Sequence, residues 1–127
     1  MAGAIQSQRR EQVVEWIERG KLAVCLPFLL EAGFSARSAA GRREMMTRLE
    51  QLPRFSVDPM VERIALEAQR ELAEAGHHRL PPTDLVIAAC ADRAHAGVLH
   101  YDRDYDLIAQ HTGLSFESVW VAEAGIL

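Results

Sequence analysis

The 127-residue chain lacks several features that would assign it to a class of protein at once. No stretch approaches the roughly eighteen apolar residues that a membrane-spanning helix needs, so we expect no membrane partner. The opening residues, MAGAIQSQRREQ, lack the long apolar core of a secretory signal, which predicts a cytoplasmic protein. Internal repeats and low-complexity tracts are absent too, and the length suits a single domain over 1–127.

Cysteine and lysine are scarce, and their positions disfavour a redox protein, a zinc-binding protein and a phosphoacceptor receiver domain. Cys25 and Cys90 lie in apolar runs without the CxxC spacing of a redox pair or zinc knuckle, so we expect two buried thiols. The five histidines show no zinc-helix spacing such as HExxH. Lys21 is the only lysine, whereas a phosphoacceptor receiver domain, which also places acids at parallel strand ends, needs a lysine late in the chain.

Charge is distributed unevenly, although the net value is only −4. Residues 35–54 carry five arginines against two glutamates, while acids gather around 58–74 and 84–106. A local basic strip can attract phosphate even on an acidic protein. An ordinary solvated helix face is the alternative, and the sequence leaves both open.

Helical and strand-like segments alternate along the chain, which predicts an α/β domain with a mostly parallel sheet. The run LVIAACA is apolar on nearly every side, so its helix should be buried, with Thr83 as N-cap. We predict strands over 21–28, 54–59, 97–101 and 114–121, and helices over 8–19, from 29 to a break near 40–41, around 45–49, and over 59–75, 83–97 and 104–113.

Acidic residues occur at three junctions between these elements. Glu31 follows the run AVCLPFLL, Asp84 opens the most buried helix, and Asp102 closes the strand GVLHY, with Asp104 two residues later. Taken alone, each acid can be explained by a structural role without any function. Asp84 can stabilise its helix N-terminus by roughly 0.3–1 kcal/mol, Asp102 or Asp104 can cap the next helix, and Glu31 can lie on a helix surface.

Taken together, the same acids suggest a metal site. A parallel sheet can bring strand ends and helix starts to one edge, where the functional crevice of such folds lies. Clustered carboxylates repel one another unless a cation compensates them. Hard oxygen ligands without a His–Cys set suit Mg²⁺ or Mn²⁺, so the acids predict such an ion if they converge.

The segment PPTDLVIAACADRAHAGVLHYDRDYDLIA resembles the second half of a PIN domain, specifically of the VapC-like toxins of bacterial toxin–antitoxin pairs. AVCLPFLLEAGFSARS resembles the earlier motif, in which a glutamate follows the second strand and a helix ends in an aromatic-Ser-Ala-Arg turn. The likeness covers about residues 10–121. It implies an α/β/α sandwich, a Mg²⁺- or Mn²⁺-dependent endoribonuclease acting on RNA, a cognate VapB-like antitoxin that neutralises it, and a homodimer.

The resemblance also implies roles for particular residues. The catalytic, metal-holding acids would be Glu31, Asp84 and Asp102, with Asp104 as an additional ligand. Thr83, which precedes Asp84, would be a supporting hydroxyl residue beside that acid. Arg37 and Arg79 would contact RNA or antitoxin. Asp106 receives no role from the family.

The chain departs from the family pattern at its start. PIN domains normally begin with a short apolar strand that ends in a metal-binding aspartate followed by a small hydroxyl residue. MAGAIQSQRREQ contains no such strand, and no aspartate precedes Asp58. Three explanations stay open: the given start omits the strand, the chain is an impaired or inactive module that binds antitoxin or RNA without turnover, or another ligand or a partner's strand replaces it.

Overall fold

The computed structural model describes residues 11, 12, 15, 23–100 and 103–120 of the chain. Predictions that fall on other residues, including most of the helix over 8–19 and the position of Asp102, lie outside the described residues. The elements in chain order are β1 Val24–Cys25, α1 Leu26–Phe34, α2 Ala39–Leu49, β2 Arg54–Phe55, α3 Pro59–Glu74, α4 Pro82–Ala94, β3 Gly97–His100, α5 Asp104–His111 and β4 Glu117–Trp120.

The strands form parallel pairs, as the alternation of elements predicts. β1 pairs with β2, with Val24 opposite Arg54, and β3 pairs with β4, with Gly97 opposite Glu117 and His100 opposite Trp120. Parallel strands need a crossover connection, which α1 and α2 supply for the first pair and α5 for the second. α5 therefore begins a few residues after the carboxyl end of β3.

The first predicted strand is shorter than expected, because α1 begins within the run that we assigned to it. Cys25 has extended backbone and acts as the N-cap, and Pro27 occupies the first turn of the helix. Proline suits that position because its fixed φ is helical and its missing N–H has no partner there anyway. The prediction that residues 26–28 continue the strand is therefore wrong.

The break in the following helical region also lies elsewhere than predicted. α1 ends at Phe34, and α2 starts after Ser38, whose hydroxyl oxygen accepts from the Gly41 N–H at 3.0 Å. This cap satisfies one of the free donors of the new helix. Gly41 thus lies inside α2, and the predicted break near 40–41 is wrong because the serine cap, not the glycine, decides the boundary.

α3 follows the predicted range closely, since both of its ends are encoded locally. The Asp58 carboxylate accepts from the Val61 N–H at 2.8 Å, and Pro59 opens the helix. At the other end Gly76 has φ +86°, and the His77 N–H donates to the Leu72 carbonyl at 2.7 Å. A left-handed glycine just past a helix is the usual way to satisfy its last carbonyls.

The core forms where α4 packs against α3, α5 and β3. As predicted, the LVIAACA run is largely buried, and its small alanines permit close approach of the neighbouring helices. The N-cap is Pro81 rather than the predicted Thr83, which lies in the first turn of the helix. One buried cluster joins several elements through Leu72, Leu85, Val98, Tyr105 and Ile108.

Within the described ranges, we find no helix with the length and apolar character needed to cross a membrane.

Candidate active site

A shallow cleft of about 480 Å³ lies between α1 and the first turns of α4. Its walls are mostly apolar and contain one carboxylate and one hydroxyl. The cleft exists because successive turns of α1 present residues to the same side at three- and four-residue spacing. Its lining comprises Leu30, Glu31 and Phe34 of α1, with Pro27 at the start of that helix, and Pro82, Thr83 and Val86 of α4.

The structure thus brings two of the predicted site residues to one place. Glu31 is exposed on α1, Thr83 is half-buried on α4, and both line the cleft. Asp84 follows Thr83 directly and is half-buried in the first turn of α4. A carboxylate there gains from the positive end of the helix dipole.

Asp84 is tied to α5 by a hydrogen bond that links distant parts of the chain. The Tyr105 hydroxyl donates to Oδ1 of Asp84 at 3.0 Å, and Tyr105 is only 6% exposed. Since Tyr105 lies in the first turn of α5, this bond joins the start of α5 to the start of α4. It limits rotation of the Asp84 side chain and holds the carboxylate in one orientation.

The remaining predicted residues lie on other segments of the chain. Asp104 and Asp106 both lie in the first turn of α5, where the helix dipole stabilises acids. Arg37 is exposed between α1 and α2, and Arg79 is exposed in the loop between α3 and α4. Asp102 lies outside the described residues, so its prediction stays untested.

The described acids have the donor chemistry that a hard divalent ion prefers. Across the part of the chain that the structure describes, no three His, Cys, Asp or Glu residues are grouped so that they could hold a metal. Mg²⁺, however, keeps several waters and is commonly held by one or two carboxylates together with substrate phosphates. Glu31 in the open cleft and Asp84, which follows the cleft residue Thr83 in sequence, are carboxylates of the required kind, so the residues present fit such an ion in their chemistry.

Sequence reasoning missed two features of this region. Tyr105 falls on the apolar stripe of α5 with Ile108, which indicates burial but not its bond to a residue 21 positions away. Leu30 and Phe34 look like core residues in the sequence, yet they are 62% and 86% exposed. Leu30 follows Pro27 by three residues, and Phe34 follows Leu30 by four and Glu31 by three, and this spacing was the available signal for a shared face.

The prediction of two buried thiols is confirmed, and both thiols belong to one core cluster. Cys25 precedes α1 and Cys90 belongs to α4, and both join one core cluster with Val61. A hydrogen bond with Cys90 lowers the pKa of Cys25 to about 7, opposed by burial and aided by the Phe28 N–H. The same hydrogen bond, with burial, raises the pKa of Cys90.

We expect Tyr105→Phe to lower the free energy of unfolding by about 1.5–3 kcal/mol, because the lost hydroxyl donates to a half-buried carboxylate. Urea denaturation of the wild type, Tyr105→Phe, Asp84→Ala and the double variant forms a mutant cycle that isolates the pair. Additive effects of the two substitutions would show that the bond contributes nothing in solution.

Comparison with known proteins identifies the family to which the chain belongs. Residues 4–110 match the model of the PIN domain family, so the chain belongs to that family, and the predicted family and α/β fold class are confirmed. Ribonuclease VapC2 of Mycobacterium tuberculosis is 43% identical over 104 residues, which cover 80% of this chain and 74% of the relative. Ribonuclease VapC21 of the same species is 37% identical over 118 residues, covering 91% and 84%.

A solved structure shares the fold. The crystal structure of VapBC-5, a member of the VapBC family of toxin–antitoxin systems from Mycobacterium tuberculosis, matches with a TM-score of 0.54 and 26% identity. The match covers 72% of this chain and 73% of that one.

Proposed function

We propose that the chain is a Mg²⁺- or Mn²⁺-dependent endoribonuclease of the VapC type, which hydrolyses RNA phosphodiester bonds. The observation that carries the proposal is the placement of Glu31 and Thr83 in one cleft, in a member of the PIN family. Asp84 follows Thr83 directly in the first turn of α4. The names of the relatives, which are ribonucleases, support the reaction class.

In this proposal the ion is held by acids from several elements. A bound divalent ion lowers the pKa of a water molecule and neutralises charge on the phosphodiester. Tyr105 keeps the Asp84 carboxylate oriented, and Thr83 offers a hydroxyl inside the cleft. The proposed ligands are Glu31, Asp84, Asp102 and Asp104, and the proposed RNA or antitoxin contacts are Arg37 and Arg79.

We also infer a VapB-like antitoxin as partner. The exposed side chains of Leu30 and Phe34 give the cleft an apolar wall, into which an amphipathic helix can lay its apolar face. Glu31 in the same cleft suits a basic residue on that helix. The likeness to VapBC-5, a member of a family of toxin–antitoxin systems, supports this partner. From membership of the PIN family we infer a homodimer. We also propose a cytoplasmic location.

The test of the nuclease proposal is RNA cleavage under metal control. Purified protein should cut single-stranded RNA with Mn²⁺ or Mg²⁺ and lose this activity in EDTA. Asp102→Asn should abolish cleavage while circular dichroism stays that of the wild type. Cutting that persists in EDTA would contradict the proposal, and so would metal-dependent cutting that survives in both Asp102→Asn and Asp84→Asn.

A second candidate is a binding module that has lost turnover. One observation favours it: the described residues group fewer than three acids at one point. Isothermal titration with Mn²⁺ separates the candidates, since an enzyme should bind the ion saturably. A module of this kind should show no saturable Mn²⁺ binding while it still binds RNA or antitoxin.

A further inference from the structure

We propose that Arg37, Arg42 and Arg43 form a surface, here called the basic surface, that binds the phosphate backbone of single-stranded RNA next to the cleft. The inference rests on the proposed function and extends it from the reacting bond to the strand that carries it. All three side chains are exposed, Arg37 in the loop between α1 and α2 and the others on α2.

The arginines of the basic surface differ from their neighbours because none of them forms an ion pair with a carboxylate of the described residues. Arg48 pairs with Glu44 at 3.0 Å, and Arg54 reaches Glu50 at 3.9 Å. For the basic surface, by contrast, no ion pair with a described carboxylate is present. Its positive charges are therefore available to an external anion.

A close contact between two helices places Arg42 against the helix that forms one wall of the cleft. A Cβ built on Gly33 of α1 would lie 3.3 Å from Nε of Arg42 and 3.1 Å from the terminal methyl of Met46. The Arg42 side chain therefore lies against α1 at Gly33, and Leu30, Glu31 and Phe34 of the same helix line the cleft. Glycine at this position lets the arginine approach the helix so closely.

The position of these positive charges is unfavourable in the protein without a ligand, which favours the binding of an anion. The first turn of α2 contains no acid, and the positive end of a helix disfavours a nearby cation such as Arg42. Three like charges within seven residues also repel one another. Phosphate groups relieve both effects.

RNA is the polyanion that suits this location best. The protein is acidic overall, with a net charge of −4, so it repels a nucleic acid except where positive charge is local. A strand cleaved beside Glu31 must extend beyond the cleft on at least one side. Arg42 of the basic surface lies against the helix that forms one wall of the cleft, so it is within the region that such a strand would cross.

The test measures binding without catalysis. Fluorescence anisotropy of a labelled twelve-nucleotide oligouridylate, in EDTA and over a range of NaCl concentrations, gives the affinity and its salt dependence. Each phosphate contact on a single strand contributes about 0.7 to the slope of log K against log salt. The triple variant Arg37→Ala/Arg42→Ala/Arg43→Ala should lower the slope by about 2 and weaken binding at least about tenfold at 0.1 M salt.

A matched control removes the same charge from another helix. Arg63→Ala on α3 also deletes one exposed arginine, and it should leave the slope unchanged, whereas Arg43→Ala should lower it by about 0.7. Thermal unfolding of every variant checks that each is folded. An unchanged slope in the triple variant, or an equal loss in Arg63→Ala, overturns the inference. Tighter binding of a labelled oligoglutamate than of RNA overturns it as well.

Failure of the inference and failure of the proposed function give different results. Wild-type protein that binds oligouridylate through the basic surface, but never cuts RNA with Mn²⁺, contradicts the nuclease proposal and supports the surface. Protein that cuts RNA with an unchanged KM in the triple variant contradicts the surface and supports the nuclease proposal.

Discussion

Asp84→Asn should lower the rate of metal-dependent RNA cleavage by at least about a hundredfold, an effect of the size seen when one electrostatic group is removed from an active site. Asparagine has nearly the shape of aspartate and keeps an oxygen that can accept from Tyr105. The variant therefore loses the charge that the proposed ion requires while it keeps the bond between α4 and α5. Initial rates at saturating Mn²⁺, with circular dichroism as a check on folding, measure the effect.

The same helix offers a matched control at its other end. Asp92 also uses Oδ1 to accept a hydrogen bond, from the Ser115 N–H at 2.7 Å, and belongs to no proposed site. Asp92→Asn should therefore cleave RNA at nearly the wild-type rate. If the two variants lose activity equally, or if Asp84→Asn stays within a few-fold of wild type, Asp84 is not a ligand.

Leu72→Ala should produce the largest loss of stability, about 2–5 kcal/mol in the free energy of unfolding. Leu72 is 1% exposed and packs in the cluster that joins α3, α4, β3 and α5. Truncation removes buried apolar atoms and leaves a cavity that the surrounding helices fill only in part. The shift of the urea denaturation midpoint, with the slope m unchanged, measures this loss.

Leu66 provides the control, since it lies on the same helix with its side chain 69% exposed. Leu66→Ala makes the same chemical change and should alter stability by no more than about 0.5 kcal/mol. Comparable losses in the two variants would mean that the face of α3 assigned to the core is wrong.

The helices with local signals could be read accurately from the sequence. For α3, the Asp58 cap, Pro59 and Gly76 all act within a few residues of the helix ends, and the observed range agrees closely with the prediction. The prediction failed where two local signals competed, as at the start of α1. There the apolar, β-like run continues past Cys25, and only the proline in the first turn indicates a helix.

The site could be predicted in part. The spacing of Glu31 and Asp84 within recognisable motifs identified the residues, and the cleft brings Glu31 together with Thr83. The clustering of all four predicted acids stays a prediction, because Asp102 lies outside the described residues. The partner that orients Asp84 could not be predicted, since it belongs to another helix.

The sequence by itself determined the family, the burial of the LVIAACA helix and the caps of α3, because motifs, periodicity and capping bonds all operate over short stretches of chain. Only the tertiary structure decided that Tyr105 holds Asp84, that Arg42 lies against α1 at Gly33, and that Phe34 faces a cleft rather than the core. These contacts depend on how the helices pack, and packing is set by the combined burial of many side chains rather than by any one segment.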